Sequence, residues 1–244
     1  MNIVGISGVA GSGKDTVAGY LVERGFVPIA LADGMKRICK EVFDFSDEQL
    51  WGPSPYRNAP DERYPRPHSG VPGGQCACCG SREYGEGAYS DHRVQCYLTP
   101  RYALQLIGTE YGRHCYLNVW IDYTMRIAQQ ILSNPFVRYT QREGLHVLSM
   151  GETLNEKLLA EVPPPAVTGV VITDVRFKNE MQAIRQQGGQ LWRVKRPGAG
   201  LDGSASLHPS EAEQMSIPDS WFDAVIDNSG TLDDLRVTVQ ALCA

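Results

Sequence analysis

The sequence predicts an α/β fold built on a mostly parallel sheet with helices on both faces. Two observations predict it: apolar runs of strand length alternate with segments of helical periodicity, and the first run passes through a glycine-rich turn directly into a helix. With 244 residues, 42% of them hydrophobic, the chain is long enough for a single domain with a full core and an insertion.

Residues 2–7 form the first apolar strand. Val17, Ala18, Leu21 and Val22 then recur at helical spacing. Residues 26–31 predict a second strand, followed by a helix whose buried stripe is Met35, Ile38, Cys39, Val42 and Phe43. From Trp51 to Leu98 the pattern gives way to Pro, Gly, Tyr and Arg with four cysteines, so an insertion is expected over about 52–98, lid-like or zinc-binding. Thr99-Pro100 predicts an N-cap and first helical residue for a helix reaching Arg113, with Leu104 and Ile107 facing inward. A further helix is expected over about 119–132.

Residues 134–166 yield no firm assignment beyond a short helix near 154–159, ended by three prolines at 163–165. Residues 169–174 form an apolar strand ending in Asp174, followed by a helix near 180–187 that stops at Gly188-Gly189. Residues 190–195 and 224–226 complete the strands. Thr231 and Asp234 have capping-box spacing ahead of a last helix carrying Leu232, Leu235 and Val239.

The net charge of −5 argues against a nucleic-acid coat and favours small-molecule ligands. Seven cysteines without a secretory leader point to reduced thiols or a metal site. No run approaches membrane-spanning length, so no membrane contact and a cytoplasmic location are expected.

Gly8-Val9-Ala10-Gly11-Ser12-Gly13-Lys14-Asp15-Thr16 has the spacing of a phosphate-binding loop, between a strand and a helix. Its glycines let backbone N–H groups converge on phosphate oxygens, the helix N-terminus adds partial positive charge, and Lys14 reaches the β- and γ-phosphates. A nucleoside triphosphate follows as ligand, held by Gly8, Ala10, Gly11, Ser12, Gly13, Lys14, Asp15 and Thr16. Asp15 stands where the general motif has a magnesium-binding Ser or Thr. Asp174, at a strand's carboxyl end, is placed to order magnesium water, with Arg176 two residues on. Arg101 and Arg113 bracket a helix that also presents Gln105, Thr109 and Glu110, while Asp33, Lys36 and Arg37 follow the second strand. Cys76, Cys79, His92 and Cys96 have the spacing of a tetrahedral zinc site, with Cys78 and His68 as further ligands to weigh.

Residues 8–16, Ala30-Leu31-Ala32-Asp33-Gly34-Met35-Lys36-Arg37, Thr99-Pro100-Arg101 with Gln105, and Gly108-Thr109-Glu110-Tyr111-Gly112-Arg113 together resemble bacteriophage-type deoxynucleoside monophosphate kinases. Thr173-Asp174-Val175-Arg176-Phe177-Lys178-Asn179-Glu180, His208-Pro209-Ser210-Glu211 and Ile226-Asp227-Asn228 extend the resemblance over nearly the whole chain. It implies a P-loop kinase fold, transfer of the ATP γ-phosphoryl to a deoxynucleoside monophosphate with Mg²⁺, a homodimer, and host cytoplasm if the chain is phage-encoded. Gly-Lys-Asp-Thr is common in that family, so Asp15 departs from the general motif only. The resemblance and the residues together give Lys14, Arg101, Arg113, Asp174 and Arg176 as catalytic candidates, and Asp33, Lys36, Arg37, Gln105, Thr109 and Glu110 as substrate contacts. Other small-molecule kinases of the phosphomevalonate or dephospho-coenzyme A type, and a nucleotide-dependent nucleic-acid-binding module, are the competing readings; the acidic balance makes nucleic acid unlikely as a partner.

Overall fold

The computed structural model describes residues 2–67, 95–134, 136–147, 167–200, 214 and 216–243. The chain folds as two compact units, Met1–Asp33 with Trp120–Ala244, and Gly34–Val119.

In the first unit, β1 (Ile3–Ser7), β2 (Phe26–Ile29), β7 (Gly169–Ile172), β8 (Gln190–Lys195) and β9 (Ala224–Asp227) form one sheet in the order β2-β7-β1-β8-β9. Every pairing is parallel, with Ile3 opposite Val170 and Val4 opposite Gln190. Because successive residues of a strand point to opposite faces, the apolar runs feed two cores. Ile3, Val170, Ile172 and Leu191 meet Met181 and Ile184 of the helix Lys178–Gln186, and Met125, Ala128 and Ile131 of the helix Val119–Ser133. On the other face Val4, Ile6, Val171, Trp192 and Ile226 meet Val17 and Leu21 of α1 (Lys14–Val22) and Leu235 and Val239 of the last helix, Leu232–Leu242. Each fully buried side chain of this kind contributes about 1.5–3 kcal/mol. Gly5 admits the helix Lys178–Gln186 at close range, since a Cβ there would lie 2.6 Å from Ile184 Cδ1.

The second strand is shorter than its sequence predicts. The Ala30 and Leu31 amides donate to the carboxylates of Asp33 and Asp174, each at 2.8 Å, so they leave the ladder and β2 ends at Ile29. Within 134–166 the first unit also holds an antiparallel hairpin, β5 (Val137–Thr140) and β6 (Gly144–Val147), turned at Gly144 with φ +89°. The four-residue strands are too short for a legible alternation. The expected helix near 154–159 lies outside the described residues.

The second unit contains most of α2 (Asp33–Phe43), then α3 (Asp47–Trp51), α4 (Ser54–Asn58), β3 (Asp61–Pro67), β4 (Gln95–Leu98) and α5 (Pro100–Gln105). Cys39, Phe45, Leu50 and Ala103 form its core. The α2 stripe is narrower than expected: Cys39 is buried and Met35 and Phe43 are half-buried, whereas Ile38 and Val42 are 42% and 66% exposed. Spacing of four along 35, 39 and 43 defines the inward line, and Ile38 and Val42 fall beside it. Ser46 and Gln49 form a reciprocal capping box for α3.

Order also reaches further into the expected insertion than its composition suggests. Helix α4 occupies its start, and β3 pairs with β4 from Asp61 opposite Leu98 to Pro67 opposite Gln95, with a bulge between Asp61 and Pro65. Two prolines hide this strand from a sequence reading. Residues 68–94 lie outside the description.

Thr99 caps α5 by accepting the Tyr102 amide, as predicted, but from Leu106 to Arg113 the helix continues with π geometry. Ordinary α spacing from Leu104 and Ile107 would turn Tyr111 inward. The wider turns instead bury Gly108 and Gly112 and leave Tyr111 78% exposed; Leu104 and Ile107 are half-buried.

Candidate functional site

The glycine-rich loop sits at the carboxyl end of β1, where open parallel sheets bind ligands. Gly11 (φ +76°) and Gly13 (φ +95°) take left-handed conformations, the backbone that lets successive N–H groups converge in an anion-binding turn. Lys14 is the first residue of α1, so the unpaired amides of that first turn and its ammonium share one end of the helix. Lys14 and Thr16 are half-buried and Asp15 is exposed.

Two residues given no role by the sequence hold this loop. Asn228, at the end of β9, donates its side-chain amide to the Ser12 carbonyl at 2.8 Å, and its backbone N–H to the Lys195 carbonyl at 2.7 Å. Gln214, itself buried, donates to Ser7 Oγ at 2.9 Å and the Gly8 carbonyl at 3.2 Å, reaching the Val175 carbonyl at 3.5 Å. Asn228 was legible only as part of a motif; Gln214 has no sequence signal. The Gly200 amide adds a bond to the Ala10 carbonyl at 3.1 Å.

Asp174 lies just beyond β7, half-buried, with Oδ1 accepting the Leu31 amide. Through that oxygen it braces the turn after β2 against the end of β7. Asp33 is fully buried, and its Oδ2 accepts the Ala30 amide and, at 2.9 Å, the hydroxyl of Tyr139 on β5. Arg176 is exposed; its backbone amide and that of Phe177 both donate to Glu180, at 2.7 and 2.9 Å.

A cavity of about 590 Å³ opens beside the loop, lined by Gly8, Val9, Lys195, Arg196, Gln214 and Asp227 among others. Asp219 fixes one wall by pairing with Arg193 at 2.8 Å and Lys195 at 2.5 Å, and these partners, Lys195 foremost, hold its carboxyl below the ordinary range. The Arg193 guanidinium also lies 4.1 Å from the Phe222 ring centre.

The second unit carries the remaining predicted residues. Lys36 is half-buried with its ammonium 5.5 Å from the Trp51 ring centre, and Arg37 and Arg113 are half-buried. Arg101, Gln105, Thr109 and Glu110 are exposed. Arg101 donates to Asn58 Oδ1. Thus Lys14, Asp33, Asp174 and Arg176 belong to one unit, and Lys36, Arg37, Arg101, Gln105, Thr109, Glu110 and Arg113 to the other.

Of the zinc candidates, Cys76, Cys79 and His92 lie outside the described residues, as do Cys78 and His68, and Cys96 is described only as a backbone position in β4. Among the described residues no group of three or more His, Cys, Asp or Glu side chains is arranged to hold a metal ion. No helix there is long and apolar enough to cross a membrane.

The sequence is 31% identical over 235 residues to a protein of Acanthamoeba polyphaga mimivirus whose provisional name is deoxynucleotide monophosphate kinase; the match covers 96% of this chain and 92% of the viral one. No protein-family model matches. Among solved structures, TT1252 from Thermus thermophilus aligns over 99% of this chain and 95% of its own, at 17% identity and a TM-score of 0.36, too low for argument.

Proposed function

The chain belongs to the deoxynucleotide monophosphate kinase family and is therefore a kinase, an ATP-dependent phosphotransferase, and on that premise we propose that it converts deoxynucleoside monophosphates to diphosphates with ATP as donor. The observation that carries the reading is the glycine-rich loop at the end of β1, with Lys14 opening α1 and a nucleoside-sized cavity beside it. The loop amides and Lys14 hold the donor phosphates; the cavity by Lys195, Arg196 and Asp227 takes the donor nucleoside.

An acceptor monophosphate already presents an anionic oxygen at neutral pH, so the chain's tasks are alignment and charge neutralisation rather than proton removal. That oxygen forms a bond to the γ-phosphorus as the bond from γ-phosphorus to the β–γ bridging oxygen breaks, and ADP leaves with the electron pair. Lys14, at the start of α1, is our candidate for neutralising the negative charge that builds on the bridging and γ oxygens. Arg101 and Arg113 of the second unit are the candidates for the acceptor phosphate, because a planar guanidinium binds phosphate through two parallel hydrogen bonds, and Arg176 of the first unit is a candidate for stabilising charge on the transferring group. Asp33, whose Oδ2 accepts the Ala30 amide and the Tyr139 hydroxyl, shapes the turn ahead of α2 and stays a proposed substrate contact, as do Lys36, Arg37, Gln105, Thr109 and Glu110.

The oxygen donors of Asp15, Thr16 and Asp174 suit Mg²⁺, a hard cation, and the Leu31 amide holds Asp174 through one oxygen while leaving the other for an ordered water. When bound, Mg²⁺ would supply charge neutralisation to the donor phosphates. The test is Lys14→Ala: turnover should fall about 100-fold or more with the thermal melt preserved. Near-normal turnover in a folded variant would remove Lys14 from the site.

A further inference from the structure

Arg57, on α4, belongs to none of the sequence motifs, and its surroundings in the second unit are unusual for an arginine. One of its five N–H donors reaches the Gly52 carbonyl at 3.1 Å, but its Nε is buried and has no hydrogen-bond partner. Protein interiors rarely leave such a donor unused. The adjacent residue, Asn58, accepts a hydrogen bond from Nε of Arg101, which draws a second guanidinium to the same end of α4.

Burial and the nearby Arg101 charge hold the Arg57 guanidinium below its ordinary pKa. Among the described residues neither arginine is paired with a carboxylate. Arg63, in the same unit, shows the usual alternative, with its guanidinium enclosed by Asp61 at 2.8 Å and Asp44 at 3.0 Å. Two like charges gathered without a counterion, one with a buried unused donor, cost the empty protein free energy that an anion would return.

We infer that Arg57 and Arg101 together bind a phosphate dianion, that of the nucleoside monophosphate acceptor. The identity of the ligand rests on the kinase reading above; its anionic chemistry rests on the arginine pair alone. Arg57 thereby becomes a substrate-binding residue inside the segment whose composition suggested only an insertion. Gly52 takes one Arg57 donor and Asn58 one Arg101 donor, and the anion would draw on the remaining ones.

The test is a titration of the ¹⁵N-labelled full-length protein, following the arginine Nε–H resonances, with that of Arg57 identified by its loss in Arg57→Lys. Inorganic phosphate and each common deoxynucleoside monophosphate are added separately. Saturable shifts of the Arg57 resonance with a nucleotide, together with an acceptor KM at least tenfold higher in Arg57→Gln and an unchanged KM for ATP, support the inference. A silent Arg57 resonance with every anion overturns the pair; the titration itself is made on the unsubstituted protein, and Arg57→Lys serves only to identify the signal. A shift with inorganic phosphate but none with any nucleotide overturns the acceptor assignment while leaving an anion site. Diphosphate formation with an unperturbed Arg57 overturns the inference and leaves the kinase reading standing.

Discussion

Gly13→Ala, alone and combined with Asn228→Ala, probes the loop that the proposed chemistry depends on. Gly13 has φ +95°, a left-handed conformation that costs an L-residue about 1–2 kcal/mol. A Cβ at Gly13 would lie 2.2 Å from Asn228 Nδ2, so the amide must abandon the Ser12 carbonyl it holds at 2.8 Å. Leaving that buried carbonyl unsatisfied adds about 1–3 kcal/mol, for a total of about 2–5 kcal/mol. Asn228→Ala alone forfeits the same hydrogen bond and costs about 1–3 kcal/mol. In the double variant the hydrogen bond is lost once, so the combined cost should fall short of the sum by about 1–3 kcal/mol. Urea unfolding followed by circular dichroism measures the cycle. Additivity within about 0.5 kcal/mol would refute the packing of Asn228 against Gly13.

Gln214→Leu removes the donor that serves Ser7, Gly8 and Val175; about 1–3 kcal/mol of stability should be lost, and the KM for ATP should rise more than that for the acceptor. Equal effects on the two KM values would make Gln214 a general structural residue. At acid pH, Arg63's hydrogen bonds pull the Asp61 carboxyl down to about 2, against the opposing effect of burial and with help from Gln49. Because the folded value lies below the unfolded one, near about 3.9, the contribution is full above that pH and fades as pH falls toward about 2. Asp61→Asn should flatten this part of the acid limb in urea midpoints between pH about 4 and about 2; parallel curves for the two proteins would contradict the assignment.

β1 and β7 were legible because each is a continuous apolar run buried on both faces, the pattern that the centre of a parallel sheet imposes, and β2, β8 and β9 as shorter apolar runs between turn signals. The Thr99 and Thr231 caps were legible because a side-chain oxygen three residues ahead of its amide is a local signal. The hairpin Val137–Val147 was not, because four-residue strands are too short for an alternation to show, and the β3–β4 pair was not, because its partners are distant in sequence and β3 carries two prolines. The π geometry of 106–113 was hidden because no local spacing signals it; within it Gly108 lies so close to Met35 that a Cβ would come 2.9 Å from the sulfur. At the site, Lys14 and Asp174 announce themselves by position in strand and loop. Gln214 carries no sequence signal because its bonds run to loop atoms distant in sequence, and the buried, unpartnered Nε of Arg57 shows only in the folded chain.

The central claim is transfer of the terminal phosphoryl group to a deoxynucleoside monophosphate. Incubating the protein with γ-labelled ATP, Mg²⁺ and each deoxynucleoside monophosphate, and separating the products, tests it most directly. The label should appear in a deoxynucleoside diphosphate as ADP accumulates in equal amount. Label confined to inorganic phosphate, or no transfer across the whole panel by folded protein, would contradict it.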